Sequence, residues 1–389
     1  MPGTMLLVGT RKGFFIYRSD AARERWELSA PMLKGTSVYQ AALDTRRRPA
    51  RLLLAANHWA WGRSVARSDD FGATWDQRSP GLGFPQDMGI TIDNTWAITP
   101  GHRDEPGVVW CGTQPAGLFR SEDWGESWAP VDSLNRAPDR KFWHMTGGGA
   151  SALTAVELDP RDRRVIYVSI ATGGAYVSLD GGATWEPRWH TAIATSPEVR
   201  EMFEKISEMF PEMNDQFPMP EGVDPLAANE FHKFRLDPKN PDRCWGQAHV
   251  GVFRSDNGGR QWVDVTKGLP SFHGFPLAVT KQGRDAVFVV PLEMEADNFR
   301  VCNGQLAVYR TMDAGATWER LTSGLPGPHD YQSVYRDAMD TDGLEPEGVY
   351  FGTTNGEVYF GRELGSAWTR LPGTLPPILS VAAYPLDAV

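Results

Sequence analysis

The chain has 389 residues, 41% hydrophobic and 23% charged, a composition able to build a globular core. Its formal net charge of −10 excludes nucleic-acid partners, which need a basic footprint, and suits neutral, cationic or metal-bridged ligands. No apolar run approaches the roughly 20 residues that span a bilayer, so no membrane partner is expected.

In chain order, Met1–Thr10 lacks a basic leader and a long apolar stretch, and reads as a strand rather than a signal peptide. Three scattered cysteines, Cys111, Cys244 and Cys302, supply neither a disulfide framework nor a CxxC metal knuckle. A cytoplasmic protein with free thiols is the expectation. Gly13–Arg18 alternates as a strand and runs into Ser19–Trp26, the most worn copy of a motif that recurs along the chain, Ser/Thr-x-Asp-x-Gly-x-Thr/Ser-Trp. Full copies are Ser68–Trp75, Ser121–Trp128, Ser178–Trp185 and Thr311–Trp318. Ser255–Trp262 carries Asn257 in the Asp position, and Gly361–Trp368 carries Glu363. The seven starts lie 49, 53, 57, 77, 56 and 50 residues apart, the period of a four-stranded propeller blade with its loops.

Each copy follows an alternating strand and precedes a short polar one, which makes it a hairpin turn. Its Asp can accept hydrogen bonds from the turn backbone, its Gly supplies backbone angles that a Cβ forbids, and its Trp packs between sheets. Seven equivalent outer turns cannot all be one active site, so these carboxylates read as structural. Innermost strands are expected at Thr36–Asp44, Asn94–Thr99 and Ala152–Asp159, from Phe231, Phe275 and Ser333, and at Ile378–Tyr384. Second strands are expected at Leu52–Ala56, Val108–Cys111, Val165–Val168, Val287–Val290 and Val349–Phe351. The chain therefore begins on a second strand and ends on an innermost one. The expected fold is all-β: a single seven-bladed β-propeller over residues 1–389, closed by the C-terminal strand pairing with the N-terminal strands.

The wide gap between 178 and 255 is read as an insertion, 190–229, with one helix near 195–212. Thr195-Ser196-Pro197-Glu198 resembles a capping box, and Val199, Met202, Phe203, Ile206, Met209 and Phe210 recur at helical spacing. Because it enters an innermost strand, the insertion is expected on the ligand face as a lid or wall.

The repeats resemble those of the BNR/Asp-box propeller superfamily, which includes sialidases, sortilin-type receptors, xyloglucan-cleaving glycosidases and a photosystem II assembly factor. The resemblance covers essentially the whole chain and implies the propeller fold. A sialidase is not implied: the early stretch Gly9-Thr10-Arg11-Lys12-Gly13-Phe14 lacks the Arg-Ile-Pro signature, which occurs nowhere in the chain.

Propeller ligands sit at the face formed by loops entering the innermost strands and loops joining second to third strands, opposite the Asp-box turns. Six of the eight histidines fall there: His58, His144, His232, His249, His273 and His329. Trp59, Trp61, Trp143, Gln114, Glu230, Asp330, Tyr331 and the acidic stretch Glu293–Asp297 share that face. Aligning inner strands on their terminal Asp (Asp44, Asp159, Asp237, Asp340) places Tyr39, His232 and Tyr335 at one level, with Glu230 nearer the mouth. Glu230, His232, Glu293 and Tyr335 are the candidate catalytic residues. Tyr39, Trp59, Trp61, Trp143, His144 and Arg336 are candidates for holding substrate. His58, His232, His249 and His329 are candidate ligands for a divalent metal, the one cofactor the residues suggest. Carboxylate pairs drawn from Glu230, Glu293, Glu295, Asp93 and Asp330 suit glycoside hydrolysis. The expectation is a hydrolase- or lyase-like enzyme acting on a glycan or small polar substrate. The alternative is a non-catalytic binding scaffold or assembly factor with a protein partner.

Overall fold

Runs such as Leu52-Leu53-Leu54-Ala55-Ala56 are buried throughout, because in this molecule sheet packs on sheet and both faces of a middle strand are covered. The computed structural model describes residues 2–144, 149–209, 219–294 and 300–388. Of the residues expected in elements or sites, Phe210, Glu295 and Asp297 lie outside them.

The strands form seven antiparallel sheets, the blades of a propeller. Blade I joins the two ends of the chain: Ile378–Pro385 is innermost, followed outward by Thr4–Thr10, Gly13–Ser19 and Trp26–Leu28. Blade II runs Ser37–Asp44, Arg51–His58, Gly62–Ser68, with an isolated Arg67–Asp76 bridge in place of a fourth strand. Blade III is Asn94–Pro100, Val109–Gln114, Gly117–Ser121, Ala129–Pro130. Blade IV is Leu153–Leu158, Ile166–Ile170, Gly174–Ser178, Glu186–Pro187. Blade V is Phe231–Asp237, Asn240–Ala248, Gly251–Ser255, Val263–Asp264. Blade VI is Gly274–Val279, Val287–Pro291, Val308–Thr311, Glu319–Leu321. Blade VII is Met339–Thr341, Val349–Gly352, Val358–Arg362, Ala367–Arg370.

Each innermost strand touches the next around the circle, and the strand of blade I touches those of blades II and VII, so the ring is closed. The closing register runs from Thr4 opposite Pro385 to Thr10 opposite Ile378, the strand exchange expected from the order of elements. One innermost strand is shorter than expected. The stretch from Ser333 turns where Ala338 N–H bonds to the Tyr335 carbonyl, and Asp337 bridges to Ser380 of blade I, so regular pairing begins only at Met339.

The Asp-box turns share one hydrogen-bond pattern. In blade IV, Gly182 N–H bonds to Ser178 Oγ at 2.7 Å, Thr184 N–H to Asp180 Oδ1 at 2.8 Å and Thr184 Oγ1 to Asp180 Oδ2 at 2.6 Å. Asp70, Asp123 and Asp313 repeat it, and Asn257 keeps its backbone half through Gln261 N–H. Two successive left-handed residues, such as Gly181 (φ 78°) and Gly182 (φ 96°), make the turn, which accounts for the glycine that six of the seven copies carry, Arg23 standing there in the most worn one. The motif Trp then fastens its blade to the preceding one: Trp262 Nε1 donates to the Arg188 carbonyl at 2.6 Å and Trp318 Nε1 to that of Val265 at 2.8 Å.

Deleting residues 378–388 leaves Thr4–Thr10 as an open edge. Loss of the cooperative thermal transition is expected, read by circular dichroism melting, and an unaltered melt would contradict closure as the stabilising contact. In the outer turns, hydrogen bonds from Thr184 and then Ser178 hold the Asp180 carboxyl at about 2, below its ordinary value. Its stabilisation is therefore complete above about pH 4 and fades as the pH falls through about 2. Asp180→Ala is expected to lower Tm by several degrees at neutral pH and by progressively less in acid. An equal loss at both would overturn this account.

Candidate functional site

The innermost strands of blades II to VI each carry a β-bulge with one extra residue, the feature that re-aims side chains in sheets. The pairing skips Tyr39, Trp96, Thr154 and His232 in turn, and in blade VI it sets Phe275 and Pro276 against the single Val290. Four of the five bulges thus carry an aromatic or imidazole ring, and these rings form a belt. Tyr39 and Trp96 lie 4.6 Å apart between centroids, and Phe275 and His232 lie 4.5 Å apart. The Arg336 guanidinium carbon sits 5.6 Å from the Trp96 ring and 5.2 Å from the Phe275 ring, joining the two pairs. Tyr39 and His232 therefore occupy equivalent positions, as the alignment on terminal Asp residues expects. Trp96 and Phe275 escaped that alignment because their strands end in Pro100 and Thr280, without the marker Asp.

Below the belt the charged groups are paired. Lys233, fully buried, bonds to Asp337, which also accepts from Gln40 at 3.2 Å. Burial pulls the Lys233 ammonium below its ordinary value, against the pull of Asp337. Arg235 pairs with Glu157, and Lys281 with Asp340 at 2.9 Å.

Above it, blade V brings together Glu230, His232 and His249. Their ligand-capable atoms all lie within 4.8 Å of one another, the one such grouping of three or more among the described residues. His249 stands in the loop joining the second and third strands of the blade, tied to the first by its N–H to the Glu230 carbonyl at 2.9 Å. His232 Nδ1 faces the Gly274 carbonyl at 2.6 Å, an acceptor only, so Nδ1 carries hydrogen and Nε2 turns to Glu230 Oε1 at 3.2 Å. Glu230 Oε2 accepts from Thr172 Oγ1 at 3.1 Å and lies 3.7 Å from His249 Nδ1. Thr172 belongs to the equivalent loop of blade IV and has a positive φ of 50°, an uncommon backbone state for a β-branched residue.

His273, at the entry to blade VI, packs at 4.8 Å from the His249 ring and 5.1 Å from that of His232. Burial lowers His249 to about 4, with Glu230 opposing, and burial with the neighbouring imidazoles lowers His273 to about 2, so both are neutral near pH 7. Burial by itself would raise Glu230. The hydrogen bond from His232 and the positive charge around it, Arg336 included, outweigh that and hold the carboxyl well below its ordinary value.

Glu230 and His249 form one wall of a cavity of about 760 Å³, together with His144, Thr172 and Met294. The opposite wall is the helix Pro197–Met209, which contributes Arg200, Met202, Phe203 and Ile206. Its start departs from a capping box. Thr195 bonds by both N–H and Oγ1 to Asp264 of blade V, at 2.7 and 2.8 Å, and Glu198 takes the Ser196 hydroxyl. That bond reaches a neighbouring blade, which local sequence could not disclose.

The remaining candidates stand apart from the cluster. Glu293 spends both oxygens on its own loop, accepting from Asn303 N–H at 2.9 Å and pairing with Arg300 at 3.4 Å. His58 Nδ1 accepts from Ala60 and Trp61 N–H, both at 3.1 Å, and so closes its own hairpin. His329, exposed and with φ 69°, serves a loop turn. Neither His58 nor His329 joins the grouping of Glu230, His232 and His249. Tyr335 packs against the blade VI–VII core. Trp143 donates to Tyr176 Oη at 3.1 Å, wedged against its own blade. Trp59 and Trp61 are 92% and 85% exposed, and each stacks at 6.0 Å from the His58 ring as an open platform. Asp93 pairs with Arg63 at 3.6 Å, and Asp330 caps Gln332 N–H.

Sheet order defines a seven-bladed β-propeller whose blades share one turn geometry. No known family profile matches the chain. Among curated proteins it is similar to a probable oligoxyloglucan-reducing end-specific xyloglucanase of Neosartorya fischeri, 25% identical over 73% of this chain and 34% of that protein. It is also similar to the oligoxyloglucan-reducing end-specific xyloglucanase of Emericella nidulans, 30% identical over 44% of this chain and 20% of that protein. The chain thus spans about a third or less of the length of these relatives. The crystal structure of an ancestral GH74 enzyme superposes with a TM-score of 0.56 at 15% identity, over 89% of this chain and 38% of that one, a likeness of fold. No helix among the described residues is long and apolar enough to cross a membrane.

The Lys233–Asp337 pair gives a test of the floor beneath the site. Asp337→Asn leaves a buried ammonium without its charge partner and is expected to cost about 3–5 kcal/mol in denaturant unfolding. The double variant Lys233→Met, Asp337→Leu should recover much of that, and an additive loss would refute the pairing.

Proposed function

We propose that the chain is an enzyme of the hydrolase or lyase type whose reactive centre is Glu230, His232 and His249 holding a divalent cation, open to a glycan or small polar substrate in the adjoining cavity. The observation that carries this reading is the convergence of three donor atoms within 4.8 Å beside a cavity of about 760 Å³. Two imidazoles and one carboxylate are a donor set suited to zinc and related ions, and they leave positions open for water and substrate. The Nδ1–H bond of His232 to a backbone carbonyl is the support that usually fixes a ligating imidazole. A cation there would take the place of the contact between His232 Nε2 and Glu230 Oε1. Without one, the same pair is an acid–base couple next to the neutral His249.

The glycan reading draws support from the xyloglucanase relatives and from the exposed Trp59 and Trp61, whose faces suit sugar stacking at the rim. The three cysteines, all unpaired, fit a reducing compartment.

Elemental analysis after incubation with zinc and exhaustive dialysis is the test. About one ion per chain is expected, with affinity lowered more than about 10-fold in His249→Ala and Glu230→Gln. Protein that stays metal-free, or variants that retain the ion, would remove the metal centre.

A further inference from the structure

Arg336 is a channel cation that Glu230 and Asp337 attract through space but that no carboxylate meets in a direct contact. Among the described residues its guanidinium makes no hydrogen bond and no ion pair, whereas Lys233, Arg235 and Lys281 beneath it each meet a carboxylate. The side chain is partly buried, and that burial pulls the guanidinium below its ordinary value against the attraction of Glu230 and Asp337. Asp337, the next residue, is occupied by Lys233 and Gln40. Glu230 is occupied by His232 and Thr172.

Trp96 comes from blade III and Phe275 from blade VI, nearly opposite in a ring of seven, so Arg336 reaches from blade VII across the axis to lie between them. Ring contacts satisfy the faces of a guanidinium and leave its N–H edge unmet. A cation held in this way has lost its rotational freedom before any ligand arrives, and its edge matches a planar anion with two oxygens. Phe275 lies 5.2 Å from the Arg336 guanidinium carbon and 4.5 Å from the His232 ring, and Glu230 acts on Arg336 electrostatically, so the guanidinium stands near the Glu230–His232–His249 cluster. Charge points the same way. A divalent cation on one carboxylate and two neutral imidazoles keeps one net positive charge, and Arg336 adds a second. Arg200 on the helix wall is offset by Glu204 and Asp224 along the same cavity.

We infer that the ligand of this site carries a carboxylate, received by Arg336, with the rest of the molecule directed toward Glu230, His232 and His249. Together with the glycan reading proposed above, that carboxylate specifies an acidic saccharide unit, a hexuronate. The inference rests on the reading of the cluster as the reactive centre, and it names the substrate class.

The test is isothermal titration calorimetry of zinc-incubated protein with D-glucuronate, D-glucose and glucose 6-phosphate, with metal content measured on the same samples. Saturable binding of glucuronate is expected, at least about 10-fold tighter than glucose. Arg336→Gln should abolish that preference and Arg336→Lys should restore part of it, both at unchanged metal content and with native circular dichroism. Glucose bound as tightly as glucuronate, a preference for the phosphate, no binding of glucuronate up to about 10 mM, or indifference to Arg336→Gln each overturns the inference. Metal-free protein that still binds glucuronate through Arg336 sustains the carboxylate and removes only the cation.

Discussion

The main-chain pairing of Ile378–Pro385 with Thr4–Thr10 is the contact on which the rest of the molecule depends. Seven sheets in a row would leave an open edge at each end and no fixed centre. Joined, they place every innermost strand between two others, and those strands converge on one axis. The turns at the outer rim then need only hold their hairpins and seat one tryptophan against the preceding blade. Their Ser, Asp, Gly and Thr do this by local hydrogen bonds that repeat from blade to blade.

The irregular features of the inner strands lie where the repeat breaks. One extra residue on the inner strand turns a side chain that strict alternation would bury, and at these positions the chain has placed Tyr39, Trp96, His232 and Phe275. Below this level the charges of the channel are paired. Above it, Glu230 and His249 meet at a cavity lined by the helix Pro197–Met209, and Arg336 has no carboxylate in direct contact, only the longer-range pull of Glu230 and Asp337. A scaffold that balances its other channel charges so closely gives chemical meaning to the group it leaves open.

The legibility of the sequence followed the same division. The Asp-box motif has a fixed length and answers to local backbone geometry, so the blade count, the turns and the strand exchange at the termini could be read from spacing. The shared face of Glu230, His232 and His249 was legible too, because loops entering inner strands lie at one end of a propeller. Which side chains on that face meet was only partly legible. His232 and Glu230 emerged from alignment of the strand ends, whereas His58 and His329 shared the face and serve their own turns. Glu293 was equally plausible by composition, yet Asn303 and Arg300 take up its oxygens. Trp96 and Phe275 were overlooked because their strands lack the terminal Asp.

The sequence by itself determined the architecture, because each blade is specified by hydrogen bonds and burial within about 50 residues, repeated seven times. Only the tertiary structure decided the site. Its members come from blades IV to VII, and their meeting depends on bulges, on the lean of Arg336 across the axis and on which carboxylates are already taken. Those are relations between side chains far apart in the chain, and no local pattern records them.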